Sequence, residues 1–244
     1  MTHAFSLQTT IRHDGSHASG WGWLAGMATA ALASLPGTAD AGFVQPTGVS
    51  AYRLMFVTSG TRDAQDTSFA PYDLFATTQA ALAGDLPSAT WQAVVSVAVL
   101  GVGYVSAATH IACATCDATV PIFMVDGTQV ATSTNAMFAG TFVNFPNQTQ
   151  TGTVVPGGSY VWTGSNEDGT VARPLGDNEP TFGGVGIVGH IFNYGSSSKV
   201  NHYSFYAISD TIFVPEPATG LAVLGGGVAV TRVLRRRRAQ RRAA

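Results

Sequence analysis

Alternating side chains predict a β-strand early in the central part of the chain, residues 42–214. Tyr52, Leu54 and Phe56 are separated by Arg53 and Met55. Side chains two residues apart lie on the same face of a strand, so Tyr52, Leu54 and Phe56 share one face in this prediction. We therefore expect the first strand of the central part here, ended by the polar residues 58–60.

Helical spacing of apolar residues predicts a helix after Pro71. The residues at this spacing are Tyr72, Phe75, Ala76, Ala80 and Ala83. Asp73 lies in the first turn, where a negative charge interacts favourably with the helix dipole, and Gly84 suits the end. The valine-rich residues 91–105 fit either a strand or a helix. For these we expect a short helix over 91–95 and then a strand.

A β-hairpin is the clearest local prediction in the second half of the central part. Apolar residues 122–125 and residues 128–130 flank Asp126 and Gly127. Asp-Gly between two such runs suits a type I′ turn, because both central residues of that turn need positive φ. We therefore predict a two-residue turn at Asp126 and Gly127.

Strands and loops make up the rest of the central part. Tyr160–Trp162 is predicted as a strand, and residues 174–195, rich in Gly, Asn and Asp, as long loops. Residues 203–214 are predicted as a closing strand with two apolar faces. The expected fold class is α+β, with one or two helices packed on mostly antiparallel strands.

The N-terminal residues have the pattern of a secretory signal peptide. Residues 21–35 carry no charge and are followed by Ala39 and Ala41, the small residues that a signal peptidase accepts. We predict a signal helix within residues 1–41 and cleavage after Ala41. A buried helix of the domain is the alternative, which the lack of a polar face disfavours.

The C-terminal residues have the pattern of a membrane segment. Residues 218–234 are apolar, and 17 helical residues span only about 25 Å, slightly less than the hydrocarbon core. An arginine cluster follows, consisting of Arg235, Arg236, Arg237 and Arg238. The positive-inside rule keeps these arginines cytoplasmic and places the body, residues 42–214, across the membrane.

Charge is divided unevenly between the body and the tail. The chain of 244 residues has a net charge of −2, but the body carries four basic and eleven acidic residues, a net charge of −7. Nucleic-acid binding requires cations on the folded surface to neutralise phosphates. We therefore expect no nucleic-acid partner.

Pro215, Glu216 and Pro217, the apolar span and the terminal arginines together resemble the PEP-CTERM sorting signal of Gram-negative bacteria. The resemblance covers residues 215–244. It implies recognition by exosortase, a membrane protease, transient residence in the inner membrane, and release to the cell surface or an extracellular polysaccharide matrix. A plain C-terminal anchor without processing is the alternative.

Short phrases of the body resemble exported domains of PEP-CTERM proteins and, more distantly, C-type-lectin-like and endostatin-like folds. These phrases are residues 52–59, the helix at Tyr72, residues 89–91 with Ser96, residues 125–127, residues 161–164 with 168–169, and residues 206–209. The resemblance implies polysaccharide binding as an activity. The lectin family's paired disulfides and its calcium-binding strand are missing, so calcium-dependent sugar binding does not carry over.

Candidate chemistry in the body is sparse. Cys113 and Cys116 are the two cysteines of the chain, and outside the cytosol a local disulfide is expected, with free thiols, redox exchange or part of a metal site as alternatives. We expect no resident cofactor or metal. Calcium is the alternative, because residues 166–169 and 177–179 are rich in oxygen ligands.

Enzyme motifs do not form a recognisable set in the body. His110, His190 and His202 are widely spaced and are predicted as structural or surface residues. We therefore expect a non-catalytic protein. The alternative is a secreted hydrolase of unrecognised type with its site among Asp168, Asp177, Glu179 and His190.

Overall fold

The computed structural model describes residues 42–112 and 118–215. The strands are β1 Ala51–Val57, β2 Trp91–Ala93, β3 Val97–Val99, β4 Gly103–Val105, β5 Ile122–Phe123, β6 Gln129–Ala131, β7 Tyr160–Trp162, β8 Thr181–Gly184, β9 Gly195–Ser196, β10 Ser204–Ser209 and β11 Ile212–Phe213. The helices are α1 Ala70–Ala81, α2 Ala107–His110 and α3 Thr134–Phe138. The described part of the chain is therefore mixed α+β, with one helix of three turns and two short ones.

Nine of the strands in the described residues form one sheet. Its main path runs β6-β5-β1-β10-β7-β8-β9, while β11 pairs with β1 and β2 pairs with β10. The β1–β5 and β10–β7 pairs are parallel, and the other pairs in this sheet are antiparallel. Strands β3 and β4 form a separate antiparallel hairpin. The prediction of mostly antiparallel strands is confirmed.

Strand β1 lies in the middle of the sheet, with apolar side chains on both faces. Leu54 and Phe56 pack on the same side as Ala76 of α1, and Met55 packs on the other side with Ile208 of β10. All five of these side chains are fully buried. The alternation in the sequence therefore separates two buried layers, one of which is covered by α1.

Arg53 is a buried exception in this apolar centre. Its Nε donates to the Ser209 carbonyl at 2.7 Å, and its Nη1 donates to the Ile111 carbonyl at 3.2 Å and to Thr134 Oγ1 at 3.0 Å. A buried guanidinium is tolerated only when its N–H groups find acceptors. Arg53 thus joins β1 to β10, to the residue that follows α2, and to α3.

Two local predictions about residues 70–95 had different outcomes. The helix after Pro71 is confirmed as α1, with Pro71 and Asp73 in its first turn and Gly84, at φ +74°, just beyond its end. The short helix over 91–95 is wrong. Residues 91–93 form β2 instead, because they pair with β10 in the register Ser209↔Trp91.

The hairpin at Asp126 is confirmed, but the predicted turn type is wrong. Among the described residues only glycines have positive φ, which excludes a type I′ turn at Asp126. Gly127 has φ +82°, and Met124 N–H donates to the Thr128 carbonyl at 2.8 Å. The connection therefore has three residues, as in a type I turn followed by a left-handed glycine.

Residues 174–195 contain a strand that the sequence did not predict. β8 pairs with β7 on one side and β9 on the other. A Cβ atom on Gly183 would collide with the Ile191 carbonyl oxygen. The glycine is therefore required by the close approach of the backbone at Ile191, in the connection between β8 and β9, and a glycine-rich sequence here does not mean a loop.

Other predictions concern residues outside the described ranges. These are the signal helix over 1–41, the cysteines at 113 and 116, and the sorting segment after Pro215. Within residues 42–112 and 118–215, none of the helices has the length and hydropathy needed to span a membrane.

Candidate functional site

A cluster of five aromatic rings lies at the β9 end of the sheet. We call it the aromatic edge cluster. Its members are Tyr160, Trp162, Phe182, Tyr194 and Tyr203. Ring centroids are 4.7 Å apart between Tyr160 and Phe182 and 4.6 Å apart between Trp162 and Tyr203. These spacings are those of directly packed aromatic pairs.

Strand register places the rings of β7 and β8 on one face. Trp162 is paired with Phe182, and Tyr160 is paired with Gly184 two residues further along. The Phe182 ring also covers Gly195 of β9, where a Cβ atom would lie 3.1 Å from its Cζ. The glycine at 195 thus leaves the space that the Phe182 ring fills.

Burial divides the cluster into a base and a surface. Trp162 is fully buried and Phe182 is 9% exposed, whereas Tyr160 is 42% and Tyr194 is 46% exposed. The Tyr160 and Tyr194 rings are nearly parallel, with an interplanar angle of 26° and a centroid distance of 5.9 Å. Two tyrosine rings are therefore held in place by buried rings and present part of their surface to solvent.

Polar contacts at the same end orient the remaining rings. Trp162 Nε1 donates to the Arg62 carbonyl at 3.2 Å, and the Tyr203 hydroxyl lies 3.1 Å from Ser197 Oγ. The polar atoms at the ring edges are thus satisfied while ring faces stay apolar. Such a surface suits a ligand that has both an apolar face and hydroxyl groups.

A polar cavity of about 370 Å³ lies beside the cluster, and we call it the Arg173 pocket. Its lining residues are Ala172, Arg173, Thr181, Asn193, Gly195 and Ser196. Thr181 precedes Phe182 on β8, and successive residues of a strand point to opposite faces. The pocket and the aromatic edge cluster therefore share strand β8 but use different faces of it.

The guanidinium of Arg173 is oriented by two contacts. Its Nη1 donates to Glu179 Oε2 at 3.0 Å and to Ser196 Oγ at 3.1 Å. The side chains of Arg173 and Glu179 are 58% and 66% exposed. An ion pair this exposed contributes at most about 1 kcal/mol to stability.

Residues 166–169, where calcium was the alternative to no metal, use their side-chain oxygens to hold the loop and its neighbours. Glu167 Oε1 accepts from the Phe192 N–H at 3.1 Å and from the Asn193 N–H at 2.6 Å. Asp168 Oδ1 accepts from both the N–H and the hydroxyl of Thr170, and these bonds lower the pKa of Asp168. In the described residues, no group of three or more His, Cys, Asp or Glu side chains is placed to hold a metal.

The hydrolase candidates have contacts with different partners. Glu179 pairs with Arg173, and Asp168 bonds within its own turn. His190 packs edge-on against Tyr194 at 5.7 Å, and its Nδ1 lies 3.1 Å from the Asn193 carbonyl. Asp177 lines a separate cavity of about 540 Å³ beside the β3–β4 hairpin. The described contacts of these four residues pair none of them with another.

His110 joins two helices to β2 through Asp73. Its Nε2 lies 3.0 Å from Asp73 Oδ1, which also accepts from the Ala93 N–H at 2.9 Å. The Phe69 ring stacks on the imidazole at 3.7 Å. This arrangement agrees with the structural histidine predicted from the sequence.

The predicted processing residues lie at or beyond the limits of the described ranges. Pro215 is the last described residue and is exposed. The others lie outside, namely Ala39, Ala41, Cys113, Cys116, Glu216, Pro217, Arg235, Arg236, Arg237 and Arg238. Their roles stay predictions from the sequence.

Comparison with models of known protein families finds no match to this chain, and no curated protein matches it. The aromatic edge cluster and the Arg173 pocket are candidate functional surfaces of the described residues.

Proposed function

We propose that this chain is an exported, non-catalytic protein of the cell surface or exopolysaccharide matrix, and that its body binds polysaccharide at the aromatic edge cluster. The observation that carries this proposal is the pair of exposed tyrosines, Tyr160 and Tyr194, supported from below by Phe182. A pyranose ring has an apolar C–H face and polar hydroxyls at its rim. It can therefore stack on a tyrosine ring and keep its hydroxyls in water.

Preorganisation supports the proposal. Tyr160 contacts Phe182 and Tyr203, and Tyr194 contacts Phe182 and His190, so both rings are already packed before a ligand arrives. A ligand that stacks on them loses less free energy to side-chain ordering than one that binds flexible groups. A polymer with many equal units can also engage both rings, which raises its avidity.

The export part of the proposal rests on the order of segments in the sequence. Residues 1–41 act as a signal peptide cleaved after Ala41, residues 42–214 are the exported body, and residues 215–244 are a PEP-CTERM-type sorting signal. Signal peptidase and exosortase are the processing partners, and the inner membrane holds the chain transiently. The mixed α+β architecture supports a C-type-lectin-like assignment of the body.

Mass spectrometry of the chain expressed in an exosortase-containing Gram-negative host tests the export proposal. We expect an N-terminus at Gly42 and loss of the C-terminal apolar segment. The control replaces Pro215, Glu216 and Pro217 by alanine and should keep that segment. Loss of the segment in this control, or an intact C-terminus in the unmodified chain, would contradict processing by exosortase.

Polysaccharide binding is tested with the purified full chain in detergent. The double variant Tyr160→Ala/Tyr194→Ala should bind a glycan found on an array about tenfold more weakly, because it loses both stacking surfaces. Tyr104→Ala is the matched control, since Tyr104 is 67% exposed but lies on the β3–β4 hairpin. Absence of binding across the array would contradict the proposal.

A further inference from the structure

Arg173 has unused hydrogen-bonding capacity. Its Nη1 makes the contacts to Glu179 and Ser196, whereas Nε and Nη2 donate to no acceptor among the described residues. A guanidinium can bind a carboxylate through two parallel N–H groups, and this geometry is stronger and more specific than a single contact. Arg173 therefore has an open donor edge beside a cavity.

The Arg173 pocket supplies further polar groups of the right kind. Ser196 Oγ accepts from Arg173, so its own hydrogen is available to a ligand oxygen. Asn193 is held in place by a 3.1 Å bond from its Nδ2 to Asn166 Oδ1, and its Oδ1 accepts no hydrogen bond from the described residues. The pocket thus offers donors for a carboxylate and an acceptor for a hydroxyl group.

Glu179 accepts a hydrogen bond from Nη1 of Arg173 and leaves Nε and Nη2 accessible. The two side chains are more than half exposed, so water screens their attraction. A ligand carboxylate can bind the open edge or replace Glu179. Glu179 in this position acts as an internal competitor that keeps the guanidinium oriented when no ligand is present.

The other cations of the body contact groups outside the Arg173 pocket. Arg53 is buried among backbone acceptors, Arg62 pairs with Asp66, and Lys199 donates to the Gly176 carbonyl. The body's net charge of −7 gives no general attraction for a polyanion. Selection of an anionic ligand here therefore depends on directed contacts at Arg173.

We propose that the Arg173 pocket binds the carboxylate of a uronic acid unit, so that the body selects acidic polysaccharides. This inference rests on the proposed polysaccharide-binding function and names the class of sugar. Thr181 precedes Phe182, and Asn193 precedes Tyr194, so neighbouring residues line the pocket and build the aromatic edge cluster. One polymer lying across the edge strand β9 can contact both.

The test compares two forms of one polymer on the full chain in detergent. Polygalacturonate carries the carboxylate, and its carboxyl-reduced form carries a hydroxymethyl group in the same place. We expect the unmodified chain to bind polygalacturonate more tightly. Arg173→Gln should weaken polygalacturonate binding about tenfold and leave the affinity for the carboxyl-reduced polymer unchanged.

Three further variants make the result specific. Lys199→Gln removes the same charge outside the pocket and should leave binding unchanged. Arg173→Lys keeps the charge but loses the paired donors, so it should retain only part of the affinity. Glu179→Gln removes the competing carboxylate and should raise the affinity for polygalacturonate several-fold.

The outcomes separate this inference from the proposed function. Equal affinity for both polymers, or equal losses in Arg173→Gln and Lys199→Gln, overturns the uronate pocket and leaves polysaccharide binding intact. Failure of both polymers and of a wider glycan array overturns the proposed function as well. Arg173-dependent binding of polyglutamate as tightly as polygalacturonate overturns the assignment to a sugar.

Discussion

The centre and the β9 end of the sheet are both rich in aromatic residues but use them differently. At the centre, Phe56 of β1 and Tyr206 of β10 are fully buried, with side chains packed over both faces of the sheet. At the β9 end, Tyr160 and Tyr194 keep almost half of their surface exposed over buried rings. The same residue types thus stabilise the fold where both faces are covered and leave ring surfaces open to solvent where one face is open.

Polar groups differ between the two regions in the same way. Arg53 at the centre donates to acceptors on β10, on the residue that follows α2, and on α3. Arg173 at the edge has two nitrogens without an acceptor among the described residues. Hydrogen bonds at the centre fix the architecture. At the edge, the N–H donors of Arg173 that have no acceptor among the described residues are free to bind a ligand.

Substitution of Phe56 should give the largest effect on stability. Phe56→Ala leaves a cavity beside Trp91, whose ring centroid is 5.0 Å away, and should lower the free energy of unfolding by about 3–5 kcal/mol. Tyr194→Ala at the edge should lower it by about 1 kcal/mol or less. Denaturant titration monitored by tryptophan fluorescence checks both. Equal losses would remove the distinction between centre and edge.

Substitution of one glycine near the edge of the sheet should destabilise the protein nearly as much as substitution of Phe56 at the centre. Gly183→Ala brings a Cβ atom into the Ile191 carbonyl oxygen, a backbone atom, and should destabilise the protein by about 3 kcal/mol. Gly157→Ala is the matched control, because its nearest neighbour, the Val185 carbonyl oxygen, would lie 3.9 Å from the new atom. The same denaturant titration applies. A tolerated Gly183→Ala would mean that the backbone at Ile191 does not approach β8 as described.

Substitution of acidic residues should have smaller effects on stability, and the effect at Asp126 should depend on pH. Burial alone would raise the pKa of Asp126, but hydrogen bonds from Gln148 and Thr128 outweigh it and lower the pKa below the ordinary 3.8. The ionised form is therefore favoured by folding, and its contribution is present above pH 3.8 and lost as pH falls through the lower folded-state pKa. Asp126→Asn should cost about 1 kcal/mol at pH 7.

Glu179→Gln provides the comparison for Asp126→Asn. Its ion pair with Arg173 is exposed, so the variant should change stability at pH 7 by less than about 1 kcal/mol. The free energy of unfolding is measured at pH 7 and at pH 3. The loss caused by Asp126→Asn should be smaller at pH 3 than at pH 7. A loss that stays constant between these pH values would contradict a role for the Asp126 charge.

Elements with a strong local pattern were predictable from the sequence. The alternation at Tyr52, Leu54 and Phe56 and the helical spacing after Pro71 both correspond to observed elements, β1 and α1. The burial of Arg53 and the strand at Trp91 depend on β10, which is more than one hundred residues away. No local pattern contains that information.

The candidate site was harder to predict for the same reason. The aromatic edge cluster draws its rings from four separated segments between residues 160 and 203, and β8 looks like a loop because close backbone approach requires its glycines. The available signal was the recurrence of Tyr and Phe within a stretch otherwise rich in Gly, Asn and Ser. The calcium loops and hydrolase residues were more visible in the sequence, but their described side chains bond to other groups.

Polysaccharide binding at the aromatic edge cluster is tested most directly by the affinity of the full chain for a polysaccharide. The affinity is measured by titration with and without the Tyr160 and Tyr194 rings. We expect about tenfold weaker binding after both are replaced by alanine, with an unfolding transition close to that of the unmodified chain. Unchanged affinity in that doubly substituted protein would show that sugars, if bound, are held elsewhere on the body.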